Sequence, residues 1–504
     1  MPKRRELLGA ALAAGLAPAW LRQPRAAEAA PLFALGVASG QPRADGVVLW
    51  TRLVGEALPP AVEVRWELAH DEAFARIAAR GSEDARAADA HSVHAEPAGL
   101  APDRWYFYRF HARGQTSAVG RTRTAPAPDA AVGKLVFATA SCQRWDHGHY
   151  AAWRDAAGAG LDLVVFVGDY IYEYASAPGA LRAHAGGVAR TLDDYRARYA
   201  QYKSDPALQA AHAACPWLVV WDDHEVENDY AGLQSATLDA DFAARRAAAY
   251  QAYWEHQPFP KAARPAGGAM RIYGRVDWGR LARVHLVDDR QYRDPQACPR
   301  PGRGGSNTVA LGDCAALADP RRTLFGSAQE RWLAEGWSLE RPWNLLAQQT
   351  LMARFRWQDK GGAEMAWTDG WDGYPAARAR LLGTLAERRV PGVVVFGGDV
   401  HANYVADLKA DFDDPRSPTI ATEFCGTSIS SQGIAQDRID AALGANPHIR
   451  LARSELRGYQ RFVLGRDRLE ATLRTVVDAR DPASEVRTLA RFDVAADRPG
   501  AQPA

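Results

Sequence analysis

The sequence predicts an α/β body over residues 132–493, preceded by a small all-β module over residues 31–125. Three observations predict it. Apolar runs of strand length alternate with Ala/Arg-rich helical stretches beyond residue 132, the mark of parallel pairing. Between residues 31 and 125 the apolar residues alternate singly, and Gly, Pro and Asp punctuate them at sandwich spacing. Four of the longer apolar runs stop at residues of metal-ligand type, and ligands gather at the carboxyl ends of strands in open α/β sheets.

Residues 1–30 read as an export signal. Lys3, Arg4 and Arg5 precede a short apolar stretch from Leu7 to Ala19, and Ala27-Glu28-Ala29 offers a cleavage site. The paired arginines point to twin-arginine export, with an ordinary secretory signal as the alternative. That route makes the export machinery a partner and the mature protein periplasmic or secreted. No later run reaches spanning length, so no stable membrane span is expected.

In the all-β module the strand runs are 47–52, 62–68, 91–95 and 105–111, and residues 100–109 resemble the strand-turn-strand of fibronectin-type sandwiches. His91 and His94 fall on opposite faces of one strand, which argues against a shared metal and leaves packing as the module's role. A linker follows at 126–131. In the α/β body, helices are expected near 151–159, 192–202, 239–256 and 376–389. Runs at 419–424, 458–464 and 469–474 suggest a second, more antiparallel sheet. The segment 494–504, rich in Pro and Ala, reads as a frayed tail.

The four strand ends carry the chemistry. Residues 134–140 stop at Ser141 and Cys142. Residues 163–167 stop at Gly168 and Asp169, with Tyr172 three residues on. Residues 217–221 stop at Asp222, Asp223 and His224, and residues 393–396 at Gly397, Gly398, Asp399 and His401. Alone, Asp169 could simply cap a helix. If the four strands share one sheet, thiolate, carboxylate, phenolate and imidazole converge on one edge, and together they are a metal-ligand set. The net charge of +1 gives no sign of nucleic acid as an obligate partner. Cys298 and Cys314 flank a Pro/Gly/Arg loop, and a disulfide closing it is expected over two free thiols. Cys215 and Cys425 lie among apolar residues, as inert buried thiols do.

Gly168-Asp169-x-x-Tyr172, Asp223-His224-Glu225 and Gly398-Asp399-x-His401 resemble the calcineurin-like metallophosphoesterases. Ser141-Cys142-Gln143, the block 221–230, the stretch 289–294 and the block 397–403 are similar, more narrowly, to the PhoD-type alkaline phosphatases and phosphodiesterases, as are residues 36–40 and 49–52. The resemblance covers nearly the whole mature chain. It implies a two-sheet sandwich flanked by helices. It implies iron(III) on Cys142, Asp169, Tyr172 and His401, and calcium on Asp169, Asp223 and Asp399, with Asn228 a candidate for a second calcium. Ordinary metallophosphoesterases offer Asp in place of Cys142, Asn in place of Asp223 and His in place of Asp399, which argues against a plain dizinc site.

The same resemblance implies hydrolysis of phosphate mono- or diesters by metal-activated water or oxo attack, for phosphate scavenging. His224 would stabilise the transition state or protonate the leaving group, or else orient Asp223. Arg144, Arg290 and Arg293 are candidates to grip phosphate oxygens bidentately, and the last two are also candidates for purely structural pairing. Residues 371–374 are similar to a segment at the family's active-site mouth. The alternatives are a secreted nuclease or phospholipase-type diesterase, or a surface protein that binds without turnover. No P-loop, HExxH zinc motif or GxSxG elbow supports another hydrolase chemistry.

Overall fold

The computed structural model describes residues 31–504, and the signal expected at 1–30 lies outside the described residues. Two sheets form the body. The first has ten strands. At its centre Leu135–Ala140, Leu163–Phe166 and Trp217–Val219 run parallel as neighbours. Every residue of the three is buried, which is why they read as unbroken apolar runs. The second sheet has seven strands, with Trp343–Ala347, Val393–Gly397 and Thr419–Cys425 parallel at its heart. Rings join the two inner faces: Phe396 of the second sheet lies 5.4 Å from Phe137 and 4.8 Å from Phe462 of the first, centroid to centroid.

The four ligand-bearing strands therefore do not share one sheet. Three belong to the first, and Val393–Gly397 belongs to the second. The sheets face each other, and their carboxyl ends open at the same edge of the sandwich. The expected antiparallel sheet also divides. Gly458–Leu464 and Arg468–Val476 extend the first sheet beside Leu135–Ala140, whereas Thr419–Cys425 lies in the second. A strand run shows its own burial but not its neighbour.

Helices form at Ala151–Ala157, Leu192–Lys203, Phe242–His256 and Pro375–Arg388. The Leu192 helix starts at a capping box in which Thr191 and Asp194 satisfy each other's backbone N–H.

The amino-terminal module is partly woven into the body. Ala61–Ala69, Ile77–Arg86, Trp105–Ala112, Gln115–Thr116 and Gly120–Arg123 make a separate five-stranded sheet. Val37–Arg43, however, pairs parallel with Trp217–Val219 and carries Gly46–Arg52 and Ser92–Ala95 onto the edge of the first body sheet. The linker is pinned on both sides, with Ala125 N–H donating to Arg43 O (3.0 Å) and Arg280 N–H to Ala130 O (2.9 Å). The tail expected to fray is a strand instead. Arg498–Pro503 pairs with Val486–Ala495, and Gly500 N–H donates to Thr422 Oγ1 at 2.8 Å. Its Pro and Ala residues suit an outer edge, where a missing N–H costs little. No helix among the described residues is long and apolar enough to cross a membrane.

Candidate metal centre

The strand ends turn sharply where the ligand types sit. Cys142, Asp169, Asp399 and His401 all have positive φ, between 53° and 64°. Such backbone costs about 1–3 kcal/mol per residue and persists only where the surroundings over-determine it. The two Gly-Asp pairs have a steric cause. A Cβ on Gly168, itself at φ 111°, would run into Asp222, and one on Gly398 would run into the Ser141 side chain. Glycine lets neighbouring strand ends close to backbone contact, and the Asp that follows is delivered to the shared edge.

Glu225 holds this edge together. Its buried carboxylate accepts from Asp169 N–H (3.2 Å), Tyr170 N–H and Asp222 N–H (2.8 Å), joining two strand ends. Cys142 N–H donates to Gly168 O at 3.0 Å, which adds the third.

Three groups of side chains could hold cations. Cys142, Asp169 and His401 place Sγ, a carboxylate oxygen and a ring nitrogen within 4.8 Å of one another. Tyr172 joins them: its hydroxyl donates to Asp169 Oδ2 (2.7 Å) and lies 3.1 Å from His401 Nε2. His401 Nδ1 meets the Gln432 carbonyl at 2.8 Å. A carbonyl only accepts, so Nδ1 carries the proton and the Nε2 lone pair faces the group. Asp169, Asp223 and His224 form the second group. Asp223, Asp229 and Asp369 form the third.

Two residues of that third group, Asp229 and Asp369, escaped the sequence reading. Asn228 lines the same cavity, but Asp229 beside it is the one grouped with Asp223. The adjacent acid in Asn228-Asp229 and the acid of Thr368-Asp369-Gly370 were the available signals. Asp399 falls outside the three groups. It lines the cavity, accepts from Thr350 Oγ1 (2.7 Å) and lies 3.9 Å from Arg290 Nη2.

The three arginines are each engaged by acids. Arg290 is buried beneath the carboxylates, paired with Asp222 and with Asp369 (2.6 Å). Arg293 donates to Asp369 (2.7 Å) and to the Tyr230 carbonyl (2.8 Å). Both guanidiniums balance buried acids, and neither lines the cavity. Arg144 pairs with Asp146 (2.7 Å) beside the rings of Tyr172 and Tyr174, and it too lies off the cavity lining. Cys298 and Cys314 are joined in a disulfide, while Cys142, Cys215 and Cys425 are free and buried.

The electrostatics of the edge suit a cation. Burial, reinforced by Asp169, pushes the Cys142 thiol well above its ordinary range, and burial does the same to the Tyr172 phenol. Burial, with Asp223 adding to it and His224 opposing it, raises Asp169 to about 6, and burial pushes Asp399 well above the carboxylate range. Among the described residues, Asp169 Oδ1, Asp222 Oδ2, Asp223 Oδ1 and both oxygens of Asp289 are buried without a hydrogen-bond partner. Native proteins seldom leave such atoms orphaned, and bound cations reverse exactly this cost. The residues present thus fit a metal centre: thiolate, phenolate and imidazole on one side, carboxylates alone on the other.

His224 belongs to the second group. Its Nδ1 meets Glu173 at 2.8 Å, and its ring packs 4.1 Å from that of Tyr172. Burial opposes its charge, but Glu173, Asp169 and Asp223 outweigh burial and raise its pKa well above normal. Trp371 is buried and donates from Nε1 to Gln348, so the 371–374 segment is a packed rim. Asp169, Asp223, His224, Asp229, Asp399 and His401 line a cavity of about 850 Å³.

Comparison with known proteins places this geometry. Residues 137–473 match the PhoD-like phosphatase family, and residues 16–126 match the PhoD-like phosphatase N-terminal domain. The chain is 42% identical over 487 residues to alkaline phosphatase D of Bacillus subtilis (strain 168), covering 93% of this chain and 82% of that protein. It is similar to a solved structure of PhoD with a TM-score of 0.88 and 40% identity, over 94% of this chain and 92% of that one.

Proposed function

The chain belongs to the PhoD-like phosphatase family and is a phosphoric ester hydrolase; from that premise we propose that it is a metal-dependent alkaline phosphatase and phosphodiesterase, exported to the periplasm or secreted, that scavenges phosphate. The observation that supports metal dependence is the set of orphaned, buried carboxylate oxygens around Asp169 and Asp223. Cys142, Asp169, Tyr172 and His401 would hold iron(III), whose charge suits anionic thiolate and phenolate donors. Asp169, Asp223 and Asp399 would hold calcium, and Asn228 with Asp229 and Asp369 a further calcium. Bound cations would supply Lewis acidity to phosphoryl oxygens and would lower the pKa of an attacking water.

The remaining work falls to the chain itself. His224, its Nδ1 held by Glu173 at 2.8 Å, faces the cavity and is placed to protonate the departing alkoxide. Arg290 and Arg293 keep the excess of buried acids from forcing the strand ends apart. Export rests on Arg4 and Arg5 and the apolar stretch after them.

The test is hydrolysis of bis(p-nitrophenyl) phosphate at mildly alkaline pH, with and without a calcium chelator. Turnover lost on chelation and restored by calcium supports the reading. Turnover indifferent to the chelator overturns the calcium assignment, and metal analysis of the purified protein checks iron independently.

A further inference from the structure

The cavity has two unlike sides. One is the acidic floor already described. The other is built by Leu351, Phe355, Trp357, Met365, Trp367 and Ile434. Trp357 and Trp367 are half-buried and sit on a short hairpin, Trp357–Gln358 with Glu364–Trp367, anchored along Thr308–Ala310. The wall is backed by packed rings: Phe355 lies 4.7 Å from Trp357 and 5.3 Å from Tyr404.

Among the described residues, Arg438 is the only Lys or Arg lining the cavity, and its guanidinium sits 5.7 Å from the Trp357 ring. The nearby Asp359 is occupied in its own turn, accepting from Gly361 and Ala363 N–H at 2.8 Å each. A polyanionic chain held through its successive phosphates needs a row of cations, which this wall lacks. Rigid, half-exposed rings beside a charged floor suit an apolar group tethered to a phosphate.

We propose that the aromatic wall of Phe355, Trp357, Met365 and Trp367 selects phosphate diesters whose non-leaving alcohol is large and apolar, aryl or alkyl. This rests on the ester-hydrolase reading and adds the substrate class to it. The wall contributes binding to the ester group that stays, while the acidic floor acts on phosphorus.

The test holds the leaving group constant. p-Nitrophenyl diesters whose second group is methyl, phenyl or octyl are compared by kcat/KM in the metal-loaded enzyme. The phenyl or octyl ester should exceed the methyl ester at least about tenfold. Trp357→Ala and, separately, Trp367→Ala should each shrink that ratio to within about threefold, and a ratio is insensitive to the fraction of folded enzyme. A larger gain for phenyl identifies an aryl alcohol, and a larger gain for octyl an alkyl one; either supports the inference. Equal turnover of all three esters overturns it, as do Trp variants that keep the ratio, or a single-stranded oligonucleotide cleaved better than the phenyl and octyl esters. Loss of turnover on every ester sinks instead the hydrolase reading on which the inference stands.

Discussion

Glu255 and Asp289 are equally buried carboxylates, yet they are held in opposite ways. Glu255 lies under the amino-terminal strands. Its oxygens accept from Arg196 (2.6 and 2.7 Å) and from Gln251 (2.8 Å), and its carbonyl takes the indole N–H of Trp50. Beside it, both ring nitrogens of His256 are occupied, by Ala252 O and Arg52. Asp289 lies behind the candidate metal centre; among the described residues neither of its oxygens has a hydrogen-bond partner, and it meets Arg290 Nε only at a loose 3.5 Å. Burial holds its pKa near 7. The contrast separates buried charge that the chain satisfies, which is architecture, from buried charge it leaves open, which marks a place for something else.

The strongest break of that contrast is a pair of substitutions. Asp169→Asn should lower kcat/KM roughly a thousandfold while leaving the melting temperature of the chelated protein unchanged or raised, because an orphaned buried acid is removed. Glu255→Ala should do the reverse. It removes the carboxylate that Arg196 and Gln251 share and should cost about 1.5–3 kcal/mol in a urea titration, with kcat per folded molecule intact. An Asp169→Asn variant that unfolds like Glu255→Ala would erase the distinction.

A smaller effect sharpens the role of His224. Glu173→Gln should lower kcat about tenfold to a hundredfold for an alkyl leaving group and much less for p-nitrophenolate, which leaves without protonation. Equal losses on both would reduce His224 to a residue that orients Asp223.

The smallest effect concerns the seam between module and body. His94 Nδ1 meets the Phe259 carbonyl at 2.8 Å, and the ring stacks on Trp254 at 4.2 Å. Burial lowers its pKa to about 4. The folded state then binds fewer protons than the unfolded chain between pH 6.5 and 4. Its contribution is complete above pH 6.5 and is lost as pH falls toward 4, on the order of 3 kcal/mol at most. His94→Phe should therefore lose less stability than the parent between pH 7 and pH 4.5, read as the difference in urea midpoints.

Much of the architecture was legible because burial leaves a local trace. The unbroken apolar runs at 135–140, 163–166 and 393–397 became central parallel strands, and the Ala/Arg-rich stretches became helices. The stops after those runs were legible too, since Gly-Asp at a strand end is a steric requirement as well as a chemical one. Pairing partners were not legible. Nothing within 458–464 says that it joins Leu135–Ala140 rather than Thr419–Cys425, because hydrogen bonding between strands is blind to the side chains that reveal burial. For the same reason Val37–Arg43 could not be seen to extend the body sheet, nor Arg498–Pro503 to close its edge.

By itself the sequence determined which segments are buried, where each strand must stop, and which donor types stand at the stops. These are properties of a residue and its near neighbours. Only the tertiary structure decided that the four stops meet across two facing sheets and that Asp229 and Asp369 share a site with Asp223. It also turned Arg290 and Arg293 inward, to neutralise acids. Charge balance in a low-dielectric interior is settled by distances between residues far apart in the chain, and no local pattern encodes those distances.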